Sequence, residues 1–360
     1  MSAISPQPGI LDIALYQGGA SHIDGVAEVL KLSSNENPFG PSQDAVATVQ
    51  EAAVKLHRYP SIDHGDVRIA VGDVHGLDPD RIIMGVGSDE ILSLLAQCYA
   101  GPGDEVLYTE HGFSIYPIVA QAAGATPVVA PETDRTVDVD AVLSAITPAT
   151  RLVYIANPAN PTGTMLPMEE LERLAAAVPD TCILVLDGAY AEFVEGYDGG
   201  ASIVDARENV VMTRTFSKIY GLGGLRVGWG YAPRAIIDVL NRVRGPFNMS
   251  LLALAGAKAA VRDTRFVEAC RQVNAEQRAR LTGGLRQMGL ACDESFANFV
   301  LARFADESEA IAAEAHMRRH GILVRLVKGY GFPEALRITV GRPEDVTRVL
   351  DALSEFRGAA

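Results

Sequence analysis

The stretch NVVMTRTFSKIYGLGGLRVGWGYA, residues 209–232, places a polar, glycine-rich segment between two short apolar runs. The flanking runs, NVVMTRT and VGWGYA, are continuous and short, as expected of strands that are covered on both faces. Between them, Lys218 lies among hydroxyl residues and before a glycine cluster, and Arg226 follows eight positions later. The stretch therefore predicts two buried strands joined by a loop that carries positive charge.

Five further apolar runs also predict strands. They are RIIMGVG, EVLYTE, TPVVAP, RLVYIAN and CILVLD, which begin at Arg81, Glu105, Thr126, Arg151 and Cys182. Amphipathic stretches such as SDEILSLLAQCYA and MEELERLAAAV lie between most of these runs and predict helices. Alternating strands and helices indicate an α/β fold with a mostly parallel sheet of seven strands.

The pattern changes after about residue 250. A long helical stretch, DTRFVEACRQVNAEQRARLTGGLRQMG, is followed by short strands and helices, which predicts a smaller α+β domain. We expect residues 1–40 to form an N-terminal arm that is part of the small domain. Residues 41–248 would form the large domain and residues 249–360 the small one.

Composition excludes several classes of partner. The chain has 360 residues and a net charge of −14, so it repels nucleic acid and anionic membranes overall. The N-terminus lacks a signal-peptide pattern, and no apolar run approaches the roughly 20 residues that cross a bilayer. The four cysteines form no CxxC pair and the chain has no zinc-type spacing, so we expect reduced thiols, a cytoplasmic location and no metal: Cys98, Cys182, Cys270 and Cys292.

Polar residues follow the predicted strands where each strand ends. Ser88 and Asp89 follow Gly87 after the first strand and open a helix. The free N–H groups of a helix start can bind a phosphate, although Ser and Asp are also ordinary capping residues. In open α/β sheets, ligands bind beyond the carboxyl ends of the strands. The residues that follow the strands are therefore candidates for a ligand-binding site.

Two later strands end in further candidates. Asn160 lies in the segment NPANPTG, whose prolines and glycine hold its side-chain donor and acceptor rigidly. The alternative is that this segment serves only as a turn. Asp187 and Tyr190 lie in DGAY at the end of the next strand. A carboxylate at the end of a buried strand is costly unless it meets a cation, and capping of the next segment is the alternative.

The opening stretch completes the set with Thr215, Ser217, Lys218 and Arg226. A lysine in a loop is most often solvated, so Lys218 alone indicates little. GLGGLR does not match the dinucleotide fingerprint GxGxxG, because Arg226 occupies the last position. Together, however, these residues match one small molecule, pyridoxal 5'-phosphate (PLP). The helix start, hydroxyls and arginine suit its phosphate, the carboxylate its ring nitrogen, Asn and Tyr its phenolic oxygen, and the lysine its aldehyde.

The motifs NPANPTG, DGAY and TFSK, with an arginine eight residues after the lysine, resemble those of class I/II aminotransferases of fold type I. Three further motifs, KLSSNENPFGPS, HRYP and VRLVKGYGFPEALRITVG, are similar to those of the histidinol-phosphate aminotransferases. The resemblance extends from about Tyr16 to Gly341. It implies a PLP-dependent transferase of fold type I, with a large sheet domain and a smaller α+β domain.

The resemblance implies a role for each candidate. Lys218 would form the Schiff base with PLP and then carry the proton between substrate and cofactor carbons. Asp187 would keep the pyridine nitrogen protonated, and Asn160 and Tyr190 would hydrogen-bond the phenolic oxygen. Phe113 would stack on the ring, although the family often has Tyr after a Pro-Thr pair where this chain has His111-Gly112. The phosphate would be held by Ser88, Asp89, Thr215, Ser217 and Arg226.

Other implied roles concern the substrate and a second subunit. Tyr59 in HRYP would reach the phosphate in the neighbouring subunit of an obligate homodimer with shared active sites. Arg337 would hold the substrate acid group and Arg325 the substrate phosphate, since guanidinium groups suit both. Tyr16 and Asn37 would belong to an N-terminal segment that closes over the substrate. For Tyr59, Arg325 and Tyr16, a packing role is the alternative.

The predicted function is transamination of L-histidinol phosphate with the glutamate/2-oxoglutarate pair, in histidine biosynthesis. The nearest alternative is an aromatic-amino-acid aminotransferase, because those enzymes share most of these motifs. A PLP-binding regulator is disfavoured by the acidic composition and the absence of a DNA-binding extension before the first motif. A carbon–sulfur lyase on the same fold is disfavoured by the two substrate arginines.

Overall fold

The computed structural model describes residues 4–16, 18–26 and 28–358. Its strands, in chain order, are β1 Leu30–Lys31, β2 Ile82–Gly85, β3 Glu105–Thr109, β4 Thr126–Ala130, β5 Glu132–Thr133, β6 Thr136–Val137, β7 Thr150–Ala156, β8 Ile183–Asp187, β9 Val210–Thr215, β10 Gly228–Tyr231, β11 Ala291–Cys292, β12 Phe299–Arg303, β13 Ile322–Leu323, β14 Arg325–Val327 and β15 Phe332–Thr339. All seven strands predicted for the large sheet are present.

The helices alternate with these strands in the first two thirds of the chain. They are α1 Gln43–Ala53, α2 Gly65–His75, α3 Ser88–Tyr99, α4 Ile115–Ala122, α5 Val139–Ala145, α6 Met168–Ala177, α7 Ala201–Ala206, α8 Arg234–Val243, α9 Leu251–Arg262, α10 Thr264–Gln287, α11 Glu307–Arg319 and α12 Pro343–Gly358. Short 3-10 helices occupy Ile10–Asp12, Pro79–Arg81, Ala191–Phe193, Gly223–Leu225 and Lys328–Tyr330. Among the described helices, none has the length and apolar composition that spanning a membrane requires.

The seven predicted strands form one sheet in the order β2-β10-β9-β8-β7-β3-β4. β10 runs antiparallel to both of its neighbours, and the other adjacent pairs are parallel. Successive side chains point to opposite faces, so that Leu184 and Leu186 join one hydrophobic cluster and Ile183 and Val185 another. Because both faces are covered, the strands are almost continuously apolar, as the sequence predicted.

The small domain is built on a second sheet in the order β11-β12-β15-β14, whose adjacent strands are antiparallel. α10, α11 and α12 pack with this sheet around a separate hydrophobic cluster that includes Leu281, Leu336 and Leu353. The N-terminal segment is attached to the same part of the molecule, because β1 pairs in parallel with β13.

The core of the large domain continues past residue 248. α9 contributes Ala253 and Ala257 to the hydrophobic cluster that contains Ala45 of α1 and Val67 of α2. At Gly256 of α9, a Cβ would lie 2.7 Å from Leu225 Cδ1, so the helix approaches the large domain closely. α9 therefore packs with the core of the large domain. The division at residue 248, which follows the change in sequence pattern, stays a prediction.

Candidate active site

A cavity of about 330 Å³ lies beyond the carboxyl ends of the large-sheet strands, where the small domain and the N-terminal segment cover them. Every candidate site residue named above except Tyr59 and Asn37 lines this cavity. The sequence also did not single out other lining residues, among them Gly18, Ser34, Asn35, Ala156, Ala189 and Tyr330.

Asp187, the last residue of β8, is a buried carboxylate on the cavity wall. Its Oδ2 accepts a hydrogen bond of 2.8 Å from the Tyr116 hydroxyl, and its Oδ1 accepts one of 3.2 Å from Thr213 Oγ1. Burial raises the pKa of Asp187 to about 6, and the two hydrogen bonds oppose this rise. A cationic group in the cavity would favour the ionised carboxylate, as the sequence argument required.

Lys218 follows β9 and is half-buried. Its Nζ donates a hydrogen bond of 3.3 Å to the Ser34 carbonyl and lies 5.7 Å from the Tyr190 ring centroid. Burial, assisted by the charge of Arg337, lowers the pKa of Lys218 to about 8. A substantial fraction of the amine is therefore neutral near physiological pH, which is the form that acts as a nucleophile or base.

The start of α3 forms a cradle for an anion. Gly87 caps the helix with a φ of +77°, and a Cβ there would lie 2.6 Å from Arg226 Nη2. At Gly228, a Cβ would lie 2.2 Å from the Ser88 backbone nitrogen. Both positions need glycine: Gly87 because of its left-handed backbone and the closeness of Arg226, and Gly228 because a side chain would collide with the backbone at the start of α3.

Hydroxyl and guanidinium groups converge on the same point. Arg226 Nη1 donates to Ser217 Oγ at 3.2 Å, and its Nη2 donates to Asp89 Oδ2 at 3.3 Å. Thr215 Oγ1 donates to Ser217 Oγ at 3.0 Å. Together with the α3 N-terminus, these donors suit a phosphate group, to which Asp89 could contribute only its backbone N–H.

A second group of donors comes from the small domain. Arg337 of β15 is buried; its Nη1 donates to Asn160 Oδ1 at 2.6 Å and its Nη2 to the Ser33 carbonyl at 3.0 Å. Its Nε is buried without a hydrogen-bond partner among the described residues. Because Asn160 Oδ1 already accepts from Arg337, the amide nitrogen of Asn160 is the group that remains to donate to a ligand.

Arg325 lies at the other side of the cavity among aromatic rings. Its guanidinium carbon is 6.0 Å from the Tyr16 ring centroid and 5.9 Å from that of Tyr330. The Tyr330 carbonyl is hydrogen-bonded to His111 Nδ1 at 2.7 Å, and the His111 ring lies 4.0 Å from that of Phe332. The His111-Gly112 segment, which departs from the usual family pattern, thus connects the Phe113 loop to the small domain.

The sequence matches the family of class I and II aminotransferases over residues 27–353. The chain belongs to that family. The fold type I architecture predicted from the sequence is thereby confirmed, because aminotransferases of this family share it with the chain over nearly its whole length.

Similar proteins and solved structures show which members of the family this aminotransferase resembles. It is 72% identical to the histidinol-phosphate aminotransferase of Roseobacter denitrificans and 66% identical to that of a Jannaschia species, over 99% of both chains in each case. The crystal structure of histidinol-phosphate aminotransferase from Sinorhizobium meliloti in complex with pyridoxal-5'-phosphate has a TM-score of 0.91 and 27% identity, covering 99% of both chains. An aspartate aminotransferase from Thermus thermophilus, 22% identical, shares the fold with a TM-score of 0.79.

In this aminotransferase Asn35, not Asn37, lines the cavity. Asn35 Nδ2 donates to the Tyr190 hydroxyl at 2.9 Å, and the residue has a φ of +56°. Asn37 Nδ2 instead donates to the Ile219 carbonyl at 2.6 Å and to Cys270 Sγ at 3.4 Å, outside the cavity. The motif NEN carries both residues, and only the backbone conformation determines which of them reaches the site.

The aromatic support beneath the site was also missed. Tyr116, fully buried on α4, stacks on Tyr154 with ring centroids 5.0 Å apart and contacts Phe113 edge-on at 5.9 Å. Tyr116 therefore contacts both the Asp187 carboxylate and the Phe113 ring, and it helps to position these two groups on the cavity wall. In the sequence Tyr116 is one apolar position of a helix, and nothing local distinguishes it from core packing.

Tyr59 lies away from the cavity of its own chain. It is 81% exposed, and its ring stacks on Phe247 with centroids 4.6 Å apart. Other large apolar side chains are exposed in the neighbouring part of the sequence, namely Val54, Leu56, Ile62 and Ile69. Large apolar side chains at the surface are typical of an interaction site where they form one contiguous patch.

Proposed function

We propose that this chain is a PLP-dependent histidinol-phosphate aminotransferase, which exchanges an amino group between L-histidinol phosphate and 2-oxoglutarate in histidine biosynthesis. The proposal is carried by one observation: a single cavity holds Lys218, Asp187, the α3 anion cradle and two arginines, Arg325 and Arg337. Relatives named for this activity are as much as 72% identical over almost the entire chain.

The cavity fits PLP at each of its polar groups. The cradle made by Gly87, Ser217 and Arg226 suits the phosphate, and the buried Asp187 suits a protonated ring nitrogen. Asn160 and Tyr190 would hold the phenolic oxygen, and Phe113 would cover a ring face. When bound, PLP supplies an electron sink for the substrate carbon.

The chain's own residues then handle the proton. Lys218, whose pKa is lowered to about 8, can take a proton from the substrate carbon and return it as a general base and acid. Asp187 would stabilise positive charge at the ring nitrogen, and the hydrogen bond from Tyr116 favours the ionised form of that carboxylate against the effect of burial.

Two arginines give the substrate pocket two anion sites. Arg337 would hold the carboxylate of glutamate or 2-oxoglutarate, since a guanidinium binds a carboxylate in bidentate fashion. Arg325, near Tyr16 and Tyr330, would bind the phosphate of histidinol phosphate. One pocket could then accept two acids of different shape in turn.

The enzyme is further proposed to work as a homodimer in the cytoplasm, with Tyr59 reaching the PLP phosphate of the neighbouring subunit. The exposure of Tyr59 and of the apolar residues near it supports this arrangement. A tyrosine that contacts no ligand in its own chain can serve the second site across a two-fold axis.

Steady-state rates of the purified enzyme with histidinol phosphate, phenylalanine and tyrosine test the substrate. We expect the highest kcat/KM for histidinol phosphate; a higher value for phenylalanine would favour the aromatic alternative. Borohydride reduction with PLP, followed by peptide mapping, is expected to leave the cofactor attached to the Lys218 peptide. Attachment elsewhere would overturn the assignment of Lys218.

A further inference from the structure

Three side chains of metal-ligating type meet at the surface of the small domain, away from the active site. His316 lies in the last turn of α11, His320 caps that helix, and Glu355 lies on α12. Glu355 Oε1 is 4.0 Å from His316 Nε2 and 3.7 Å from His320 Nε2. One ligand atom from each residue lies within 4.8 Å of the other two.

His316 is the least satisfied member of the group. The residue is 8% exposed, and its Nε2 is buried without a hydrogen-bond partner among the described residues. The ring is held between His320, at a centroid distance of 4.6 Å, and Phe356, at 5.6 Å. A buried ring nitrogen without a partner is costly, and such atoms call for an explanation such as a bound ion.

The end of a helix also favours a cation here. α11 ends at Arg319, so the negative end of the helix dipole lies beside both histidines. Of the basic neighbours, Arg318 is paired with Glu314, and Arg348 donates to the His320 carbonyl at 3.5 Å. Arg319 Nη2 lies 3.3 Å from His316 Nδ1, and Arg319 is exposed.

We propose that His316, His320 and Glu355 bind one divalent first-row transition cation, best matched by Zn²⁺, which ties α12 to α11. Two histidines at positions i and i+4 of a helix can share one metal ion, and nitrogen and carboxylate ligands suit zinc. Ligand atoms around tetrahedral zinc lie roughly 3.4 Å apart, so small rotations of the exposed His320 and Glu355 would close the site. Water would complete the coordination.

The contact between Arg319 and His316 affects how the proposed site can bind a metal ion. When Arg319 donates to His316 Nδ1, the ring proton must lie on Nε2, which prevents that nitrogen from binding a metal. Metal binding requires the other tautomer, so Arg319 must turn toward solvent. Arg319→Ala should therefore bind Zn²⁺ more tightly than the wild type.

Calorimetric titration of metal-free holoenzyme with Zn²⁺ tests the proposal. The wild type should bind one equivalent, and His320→Asn and Glu355→Gln should each weaken this binding by about tenfold or more. His22→Asn is the matched control, because His22 pairs with Asp24 at 3.8 Å on an exposed surface. Equal affinity in the wild type, His320→Asn and Glu355→Gln, or no saturable binding in the wild type, would overturn the proposal.

Hydrogen exchange gives a second readout that does not depend on activity. Zn²⁺ should slow the exchange of α12 amides in the wild type and leave them unchanged in Glu355→Gln. Mg²⁺ should have no such effect, because it prefers oxygen ligands and retains its water. Equal protection by Mg²⁺ would contradict a site built on imidazole nitrogens.

Discussion

Arg337 and Asn160, 177 residues apart in the chain, are joined by a hydrogen bond of 2.6 Å between Nη1 and Oδ1. This bond ties β15 of the small domain to the loop after β7 of the large one. It also fixes the orientation of the Asn160 amide, because an oxygen that accepts from a guanidinium leaves the nitrogen to donate. Asn160, the proposed cofactor-binding residue, and Arg337, the proposed substrate-binding residue, thus position each other's side chains.

The buried Asp187 should make the stability of the cofactor-free protein depend on pH. Its pKa is raised from 3.8 to about 6, so its protonated form is favoured in the folded state. The stability from this group is complete below pH 4 and is lost as the pH rises to 6 and above. The asparagine of Asp187→Asn does not ionise. The free energy of unfolding of this variant should therefore increase relative to that of the wild type as the pH rises over this range, by up to about 3 kcal/mol.

Urea unfolding of cofactor-free wild type and Asp187→Asn from pH 4 to pH 8 measures this difference. Saturation with PLP should reduce or reverse it, because a cation beside the carboxylate favours the ionised form. A stability difference that does not change with pH would contradict the assigned role of burial.

Tyr116→Phe should impair catalysis without removing a residue that lines the cavity. Loss of the 2.8 Å hydrogen bond to Asp187 Oδ2 removes a group that lowers the pKa of Asp187, so that pKa should rise further. We expect kcat to fall about tenfold at neutral pH, as for a hydrogen bond to a charged group, and the acidic limb of kcat/KM to move to higher pH.

Tyr154→Phe is the matched control for this change. Its ring stacks on that of Tyr116, but its hydroxyl donates to the Leu92 carbonyl at 2.8 Å. The control should lose stability and keep the pH profile. If both variants gave the same profile, the Tyr116 hydroxyl would have no specific role.

Asn35→Ala and Asn37→Ala should have different consequences although the residues are two positions apart. Burial raises the pKa of Tyr190, and the hydrogen bond that Asn35 donates to its hydroxyl opposes this rise and fixes the position of that hydroxyl, so loss of Asn35 should reduce kcat by about tenfold. Asn37 bonds the Ile219 carbonyl outside the cavity, so its loss should cost about 1 kcal/mol of stability. Kinetics and thermal unfolding of both variants measure this, and a larger loss of kcat in Asn37→Ala would reverse the assignment.

Arg325→Ala should lower the preference for a phosphorylated substrate. A lost guanidinium–phosphate contact costs about 2 kcal/mol, so kcat/KM for histidinol phosphate should fall about thirtyfold. The value for phenylalanine should change much less, and Arg325→Lys should restore part of the preference because it keeps the charge. An unchanged ratio between the two substrates would exclude a phosphate role for Arg325.

Mixed dimers test whether Tyr59 serves the partner's site. Lys218→Ala and Tyr59→Ala homodimers should both have low activity, the second through weaker binding of PLP. A dimer with one chain of each kind would place both defects in one site and leave the other site intact. Activity should therefore recover on mixing and refolding the two variants, and failure to recover would mean that Tyr59 acts within its own chain.

The sequence by itself determined the strands of the large sheet and the polar residues that follow them. In a mostly parallel sheet the strand ends share one edge, so Asp187, Asn160 and Lys218 could be assigned to one site from their position alone. Their chemistry also follows from residue type, because a buried carboxylate and a lysine beside hydroxyls suit few ligands.

Only the tertiary structure decided which side chains from distant segments complete the site. Asn35 rather than Asn37 enters the cavity because of a left-handed backbone, and Tyr116 reaches Asp187 from a helix that looks like ordinary core. Glu355 meets His316 and His320 only because α12 packs on α11. Local patterns specify which elements form, whereas side-chain direction and contacts between elements depend on how the whole chain packs.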